Sequence, residues 1–138
     1  NKLKNQPEHI PDFISEMVRS LSPLPMMHRV DVAETANPED PKYVWLSFIS
    51  ANQDSSVITD PEQIKLDRSA NPHLGFGYGR HSCIGMHLAQ LEAKIVLELW
   101  LEKFSTWEVL PESELLFDFE DYKFIPSRFH SLRLKLNS

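Results

Sequence analysis

Apolar residues recur along this 138-residue chain with two different periods, and the switches between them mark its elements. In PDFISEMVRSL, residues 11–21, Phe13, Ile14, Met17 and Leu21 fall on one helical face, and Pro11 suits a first turn. SPLP at 22–25 stops that helix, because a residue before proline is driven toward extended backbone. MMHRVDV then predicts a strand. YVWLSFI at 43–49 is a continuous apolar run, rich in β-branched and aromatic residues, and predicts a buried strand. Between them ETANPEDPK, 34–42, is polar and turn-rich, a surface loop. The strongest helical pattern runs from Ile84 to Phe104, with Leu88, Leu91, Ile95 and Leu99 at helical spacing and Glu92, Lys94 and Glu98 among the polar positions. Alternation returns in the tail, at Trp107 and Val109 and again at Leu132, Leu134 and Leu136, which predicts strands. Residues 50–73 show little periodicity, and so long an irregular stretch is expected to be functional or tightly pinned. Helices and short strands without a βαβ rhythm make the expected class α+β.

Composition narrows the picture a little further. The length suits one domain with a real core, so residues 1–138 are expected to form a single domain portion. A net charge of −6 argues against nucleic acid as the main partner, because a phosphate-binding surface is usually basic. A single cysteine excludes an internal disulfide framework and fits a reducing, cytoplasmic compartment. The longest apolar runs are far too short to cross a bilayer. NKLKNQPEHIPDF, at the start, has no initiator Met and no targeting pattern, and reads as the interior of something longer.

The candidate chemistry sits in one place. LGFGYGRHSCIGMHLAQ, residues 74–90, holds all four glycines and the only cysteine. Glycines so concentrated let the backbone approach a bulky flat object, or take φ > 0. Cys83 lies just before the long helix, where unpaired amide N–H groups and the helix dipole suit a metal-binding sulfur. Arg80, His81 and His87 add positive charge, and Phe76 can shield the sulfur from one side. Several readings meet these residues. Cys83 could be a small buried apolar residue and the glycines a turn. A zinc site at His81, Cys83 and His87 lacks a fourth nearby ligand and leaves the glycines unexplained. A cysteine nucleophile needs a partnered histidine that no pattern here supplies. A phosphate loop needs a lysine and hydroxyl after its last glycine, and has neither.

FGYGRHSCIG, from Phe76 to Gly85, resembles the haem-binding loop of the cytochrome P450 family in its soluble bacterial and archaeal form. Phe76, Gly79, His81, Cys83 and Gly85 match that pattern at fixed offsets, and LAQLEAK matches the helix that continues from the cysteine. Glu16 and Arg19 supply the E-x-x-R element of the family's preceding helix. Alone, an i, i+3 Glu–Arg pair is commonplace on a solvated helix. Its weight comes from order and company: Arg68 resembles the arginine that completes the family's buried Glu–Arg–Arg network, and SANQD at 50–54 and NPHLGFG at 71–77 also fall in place.

The resemblance implies the C-terminal part of the P450 fold, ending in a β-hairpin, and a monooxygenase that inserts one oxygen atom of O2 into a small organic substrate. Its cofactor would be haem b, with Cys83 as proximal thiolate ligand. A thiolate pushes electron density onto the iron. Arg29 and His81, and more weakly His73, match positions that meet haem propionates. Phe76 and Gly77 belong to the cofactor-binding loop, as does Gly85. Glu16, Arg19 and Arg68 would be structural, while Leu24, Met26 and Met27 match a substrate-facing segment. The implied partners are the N-terminal portion of the same enzyme and a ferredoxin or similar electron donor, with Lys94 and Arg80 candidates for docking the latter. A non-catalytic haem-binding module is the alternative.

Three departures stand beside the likeness. The family's distal helix, with its proton-delivering residues, has no counterpart in this chain, so a broad apolar face is expected to lie exposed. The connection from Arg29 to Tyr43 is shorter than the family's hairpin, which puts that strand pairing in doubt. RFHSL, near the tail, lacks a glycine often found at its bend.

Overall fold

The structure, a computed structural model, describes residues 2–68, 70–111, 113–117 and 126–137, with side chains described outside 114–117 and 126–130. Short strands and helices alternate as expected of α+β. A helical turn α1 (Lys2–Asn5) and a 3-10 turn at Pro7–His9 lead into α2 (Ile10–Leu21). The chain divides into two compact units, Pro11–Gln90 and Asn1–Ile10 with Leu91–Ser138.

In the unit Pro11–Gln90, α2 stops where the SPLP prolines demand it, with Ser22 in the left-handed region at φ 42°. Strand β1 (Met26–Val30) follows and pairs antiparallel with β2 (Tyr43–Ser47), in continuous register from Met26↔Ser47 to Val30↔Tyr43. The short connection does not prevent this pairing. The Asp31 carboxylate accepts from the Ala33 and Glu34 amides at 3.0 and 3.3 Å, and Thr35 Oγ1 accepts from the Lys42 amide at 3.0 Å. The link is thus a turn closed by its own side chains.

YVWLSFI is not a buried strand. Only Tyr43–Ser47 are extended; Phe48–Ala51 turn into a helix, α3, capped by Ser47, whose side chain accepts from the Ser50 amide. Tyr43, Val44, Trp45 and Leu46 are all exposed. A period-free apolar run says that both faces prefer to leave water, without saying what covers them. The buried apolar side chains of this unit include Ile14, Phe48 and Ile58, but its largest fully buried side chains are polar: Arg19, Glu16 and Asn52.

After the glycine loop comes α4 (Met86–Lys103), two residues later at its start than the apolar pattern suggests. No residue of α4 is buried, and Leu88, Leu91, Ile95, Val96 and Leu99 are all exposed. The expected apolar face is therefore open among the described residues. In the unit that contains residues 91–138, β3 (Thr106–Val109) pairs antiparallel with β6 (Leu134–Asn137). Trp100 packs against Phe104 and edge-on to Trp107, with ring centroids 4.8 and 5.9 Å apart. The expected hairpin is β4 (Glu114–Phe117) with β5 (Pro126–Ser131), irregular at two points. Of RFHSL, the backbone runs as β5 through Ser131, while the side chains of 128–130 lie outside the described set. No helix among the described residues is long and apolar enough to cross a membrane.

Candidate functional site

The site is built on α2. Spacing of three places Glu16 and Arg19 side by side on its inner face, where neither has any exposed area. Arg19 Nε and Nη2 donate to the two Glu16 carboxylate oxygens at 2.9 and 2.8 Å, a bidentate pair. The guanidinium also donates to the backbone carbonyls of Asn52, Pro61 and Gln63. Glu16 accepts in addition from Arg68 Nε at 2.9 Å, the Lys65 amide at 3.0 Å and Asn71 Nδ2 at 3.2 Å. Arg68 reaches on to the carbonyls of Thr59, Asp60 and Gln63. These contacts pin the aperiodic stretch 50–73 as expected, with side chains replacing the sheet or helix ladder it lacks. Burial pushes the Glu16 carboxyl upward, but hydrogen bonds from Arg19, the Lys65 amide and Arg68, with the Arg19 charge, win and bring it down to about 2.

The cysteine loop lies against this network. Leu74 N–H donates to Asn52 Oδ1 at 2.7 Å, and Gly75 N–H to His73 Nδ1 at 3.2 Å. Gly75 is the point of closest approach: a Cβ there would stand 2.4 Å from Val18 Cγ1 and 3.0 Å from the Val18 carbonyl. Beyond it the chain turns through Gly77 at φ 72°, where a side chain would be strained. The loop closes by Cys83 N–H donating to the Phe76 carbonyl at 2.7 Å. Cys83 itself is exposed.

Its sulfur-bearing residue forms part of the wall of a cavity of about 850 Å³. That is in the upper part of the roughly 300–1,000 Å³ typical of ligand and cofactor sites. Gly75, Phe76, Gly77, His81 and Cys83 of the loop line it from one side, and Leu24, Met27 and Arg29, with Trp45 and Leu46 of β2, from another. Met27 and Arg29, two apart on β1, share one face of the strand. Met26 falls out of that alternation and is not part of the lining. The exposed run Tyr43–Leu46 thus contributes two residues to an open apolar wall.

Of the residues singled out in the sequence, Arg29, Phe76, Gly77, His81 and Cys83 converge on one cavity, with Leu24 and Met27. Glu16, Arg19 and Arg68 converge behind it. Gly85 lies outside the lining but keeps the neighbourhood of the sulfur clear, since a Cβ there would meet only Cys83 Sγ, at 3.9 Å. His73 is not among the residues that line the cavity, and its ring lies beside that of Phe76, with centroids 6.1 Å apart. Its Nε2 meets Ser15 Oγ at 3.2 Å and its Nδ1 accepts from Gly75, so both ring nitrogens are engaged on the α2 side. Burial first, then the Arg19 charge, pushes its pKa down, against the pull of Glu16. Among the described residues no three His, Cys, Asp or Glu side chains gather as a metal cluster, so His81, Cys83 and His87 do not come together as a zinc site. Asn52 and Asn71 escaped the sequence reading. Both sit in stretches that resembled the family, but an asparagine in a loop carries no signal that it will be buried.

The α+β fold thus sets an exposed cysteine on an apolar wall, backed by a buried Glu–Arg–Arg network. The sequence model of cytochrome P450 matches residues 46–128, and the chain belongs to that family. It is 38% identical over 110 residues to Cytochrome P450-terp of Pseudomonas sp, which covers 77% of this chain and 26% of that protein. It is 33% identical over 140 residues to the Biotin biosynthesis cytochrome P450 of Bacillus subtilis (strain 168), covering 93% and 34% respectively. Among solved structures it is similar to a carbohydrate active P450, with a TM-score of 0.85 at 33% identity over 99% of this chain and 37% of that one. It is also similar to P450BioI, solved in complex with an acyl carrier protein ligated with hexadec-9Z-enoic acid, with a TM-score of 0.80 at 30% identity over 99% and 35%. The chain spans about a third or less of the length of these relatives.

Family membership implies a haem cofactor. The residues present fit one: the cavity is large and apolar, a cysteine lies on its wall, and Arg29 and His81 bring nitrogen donors suited to anionic edge groups. The space left open beside Cys83 Sγ at Gly85 agrees with this, because no contact within the protein demands a glycine there.

Proposed function

We propose that this chain is the haem-ligating C-terminal portion of a monooxygenase that inserts one oxygen atom of dioxygen into a small organic substrate, with electrons from a redox partner. The observation that carries the reading is Cys83, set on the wall of an apolar cavity by a loop whose backbone is fixed from behind. Cys83 would supply the thiolate ligand to haem b, and Arg29 and His81 would donate to its carboxylates. Phe76 covers the cysteine side, and Gly77 and Gly85 give room. When bound, haem supplies the activation of dioxygen, and a thiolate ligand favours O–O cleavage. The protein's own part is to hold the sulfur, orient the cofactor through its charged edge and keep water from the apolar wall. Leu24 and Met27 face the substrate. Met26, one residue before Met27 on β1, is not part of the cavity lining.

The N-terminal portion of the same enzyme covers the exposed apolar residues of β2 and α4. A ferredoxin or similar donor delivers electrons, with Arg80 and Lys94 steering it; the compartment is the cytoplasm. The neighbour seen with an acyl carrier protein makes a carrier-tethered substrate one form to include among those tried.

The test is the absorption spectrum of the reduced, carbon monoxide-exposed holoprotein beside that of Cys83→Ser. A strongly red-shifted Soret band, lost in the variant, is expected. Haem bound equally, with the same spectrum in both proteins, would remove Cys83 from the site. Thiolate-ligated haem without oxygenation of any substrate, in the complete enzyme supplied with electrons, would favour the non-catalytic haem module instead.

A further inference from the structure

We propose that Asn52 and His73 are positioning residues for Cys83: together they hold the consecutive amides of Leu74 and Gly75, the point from which the ligand loop departs over α2. The inference rests on the reading of Cys83 as the proximal ligand. Its basis is the arrangement of four side chains. Asn52 Oδ1 accepts from Leu74 N–H at 2.7 Å, while its Nδ2 donates to Ser22 Oγ at 2.9 Å. His73 Nδ1 accepts from Gly75 N–H at 3.2 Å, while its Nε2 meets Ser15 Oγ at 3.2 Å. Ser15 lies within α2, and Ser22, seven positions on, is the residue just past its end. The loop entrance is therefore tied both to the body of α2 and to the residue that ends it, with Gly75 seated on Val18, which lies between them in the sequence.

Two features set this apart from ordinary packing. Asn52 has no exposed area, and its carbonyl is also taken, by Arg19 Nη1 at 2.9 Å, so the clamp is joined directly to the Glu16–Arg19 pair. A buried amide is costly unless each polar atom is met, and here each one is. The clamp also acts at the start of a short relay. Leu74 O accepts from Gly77 N–H at 2.9 Å, and Phe76 O from Cys83 N–H at 2.7 Å, so the orientation of residues 74 and 75 passes through two bonds to the cysteine.

The experiment uses the full-length, haem-loaded enzyme with Asn52→Leu, His73→Phe and His73→Asn. The asparagine in the last keeps an acceptor for the amide two residues on. Amide exchange is read at residues 74, 75 and along α2, and the reduced carbon monoxide spectrum is recorded on the same samples. In Asn52→Leu and His73→Phe, exchange at the freed amide is expected to rise at least about tenfold while α2 stays within about threefold. Part of the red-shifted Soret band should be lost with it. His73→Asn should restore both. Unchanged exchange at 74 and 75 overturns the clamp, and so does a rise spread evenly along α2. Freed amides with an intact spectrum overturn the positioning of Cys83. If Asn52→Leu does not fold, the half-buried His73 pair decides alone. Should Cys83→Ser keep the parent spectrum, the ligand reading fails, and the exchange data still report on the clamp.

Discussion

The back and the front of the cysteine loop follow opposite rules. Behind it, Glu16 and Arg19 are fully buried, and their charges are met by carbonyls, amides and Arg68 within the same unit. In front, Trp45, Leu46, Tyr78 and Ile84 line the cavity and are exposed. The difference comes from what each kind of surface tolerates. A buried charge needs its partners in place at hydrogen-bonding geometry, so the back has to satisfy Glu16 and Arg19 within the fold, even though the neighbouring Asn71 Oδ1 is buried without a partner. Apolar surface has no directional demand, and can be left for a flat cofactor and further protein to cover. A ligand loop held rigidly on its polar side and left open on its apolar side is suited to receive something large.

The comparison can be broken most directly at Glu16. Glu16→Gln leaves Arg19 and Arg68 without a counter-charge and should lower stability by roughly 3–5 kcal/mol in denaturant titration. A loss under about 1 kcal/mol would mean that the back is not the rigid side. Acid acts on the same group more gradually. With its carboxyl held at about 2 against an ordinary 4.5, the contribution of Glu16 is fully present above pH 4.5 and is lost as pH falls from there toward 2. Unfolding midpoints across that range should drop in the parent protein, and the drop should be shallower in Glu16→Gln.

Two glycines on opposite sides give the sharpest contrast. Gly75→Ala forces a methyl group onto Val18, including its backbone carbonyl, and should cost roughly 1–3 kcal/mol. Gly85→Ala meets only Cys83 Sγ at an ordinary distance and should change the stability of the cofactor-free protein by less than about 0.5 kcal/mol. Equal effects on thermal unfolding would erase the distinction between back and front. The smallest expected effect is at His73. Its depressed pKa means that the unfolded chain takes up the proton first, so stability is full above pH 6.5 and declines as pH falls below it. That part of the decline should vanish in His73→Asn; its persistence would place the titrating group elsewhere.

How much of this was legible beforehand depended on the range of each interaction. The two longer helices and the turn-prone glycine loop were readable because turn chemistry and helical spacing act over a few residues, whereas the roles of Glu16, Arg19 and the loop came from the family resemblance. Strand tendency was readable in Trp107 and Val109 and in Leu134 and Leu136, but their mutual pairing was not, because alternation does not name a partner. YVWLSFI showed that residues 43–49 prefer to leave water, yet gave no sign that Trp45 and Leu46 would face an open cavity.

His73 shows the same divide within one residue. The pattern around it suggested a cofactor edge, whereas the fold turns both ring nitrogens toward Ser15 and Gly75. Asn52, mute in the sequence, becomes the link between the E-x-x-R helix and the ligand loop. By itself, then, the sequence determined the local pieces: the helix bearing Glu16 and Arg19, the turns at Gly77 and Gly79, and the cysteine just ahead of a helix. Only the tertiary structure decided which polar side chains would meet across 22 to 58 residues of chain and which apolar ones would stay uncovered. Backbone preferences are written into neighbouring residues, while the cost of a buried polar atom is set by whatever folding brings beside it.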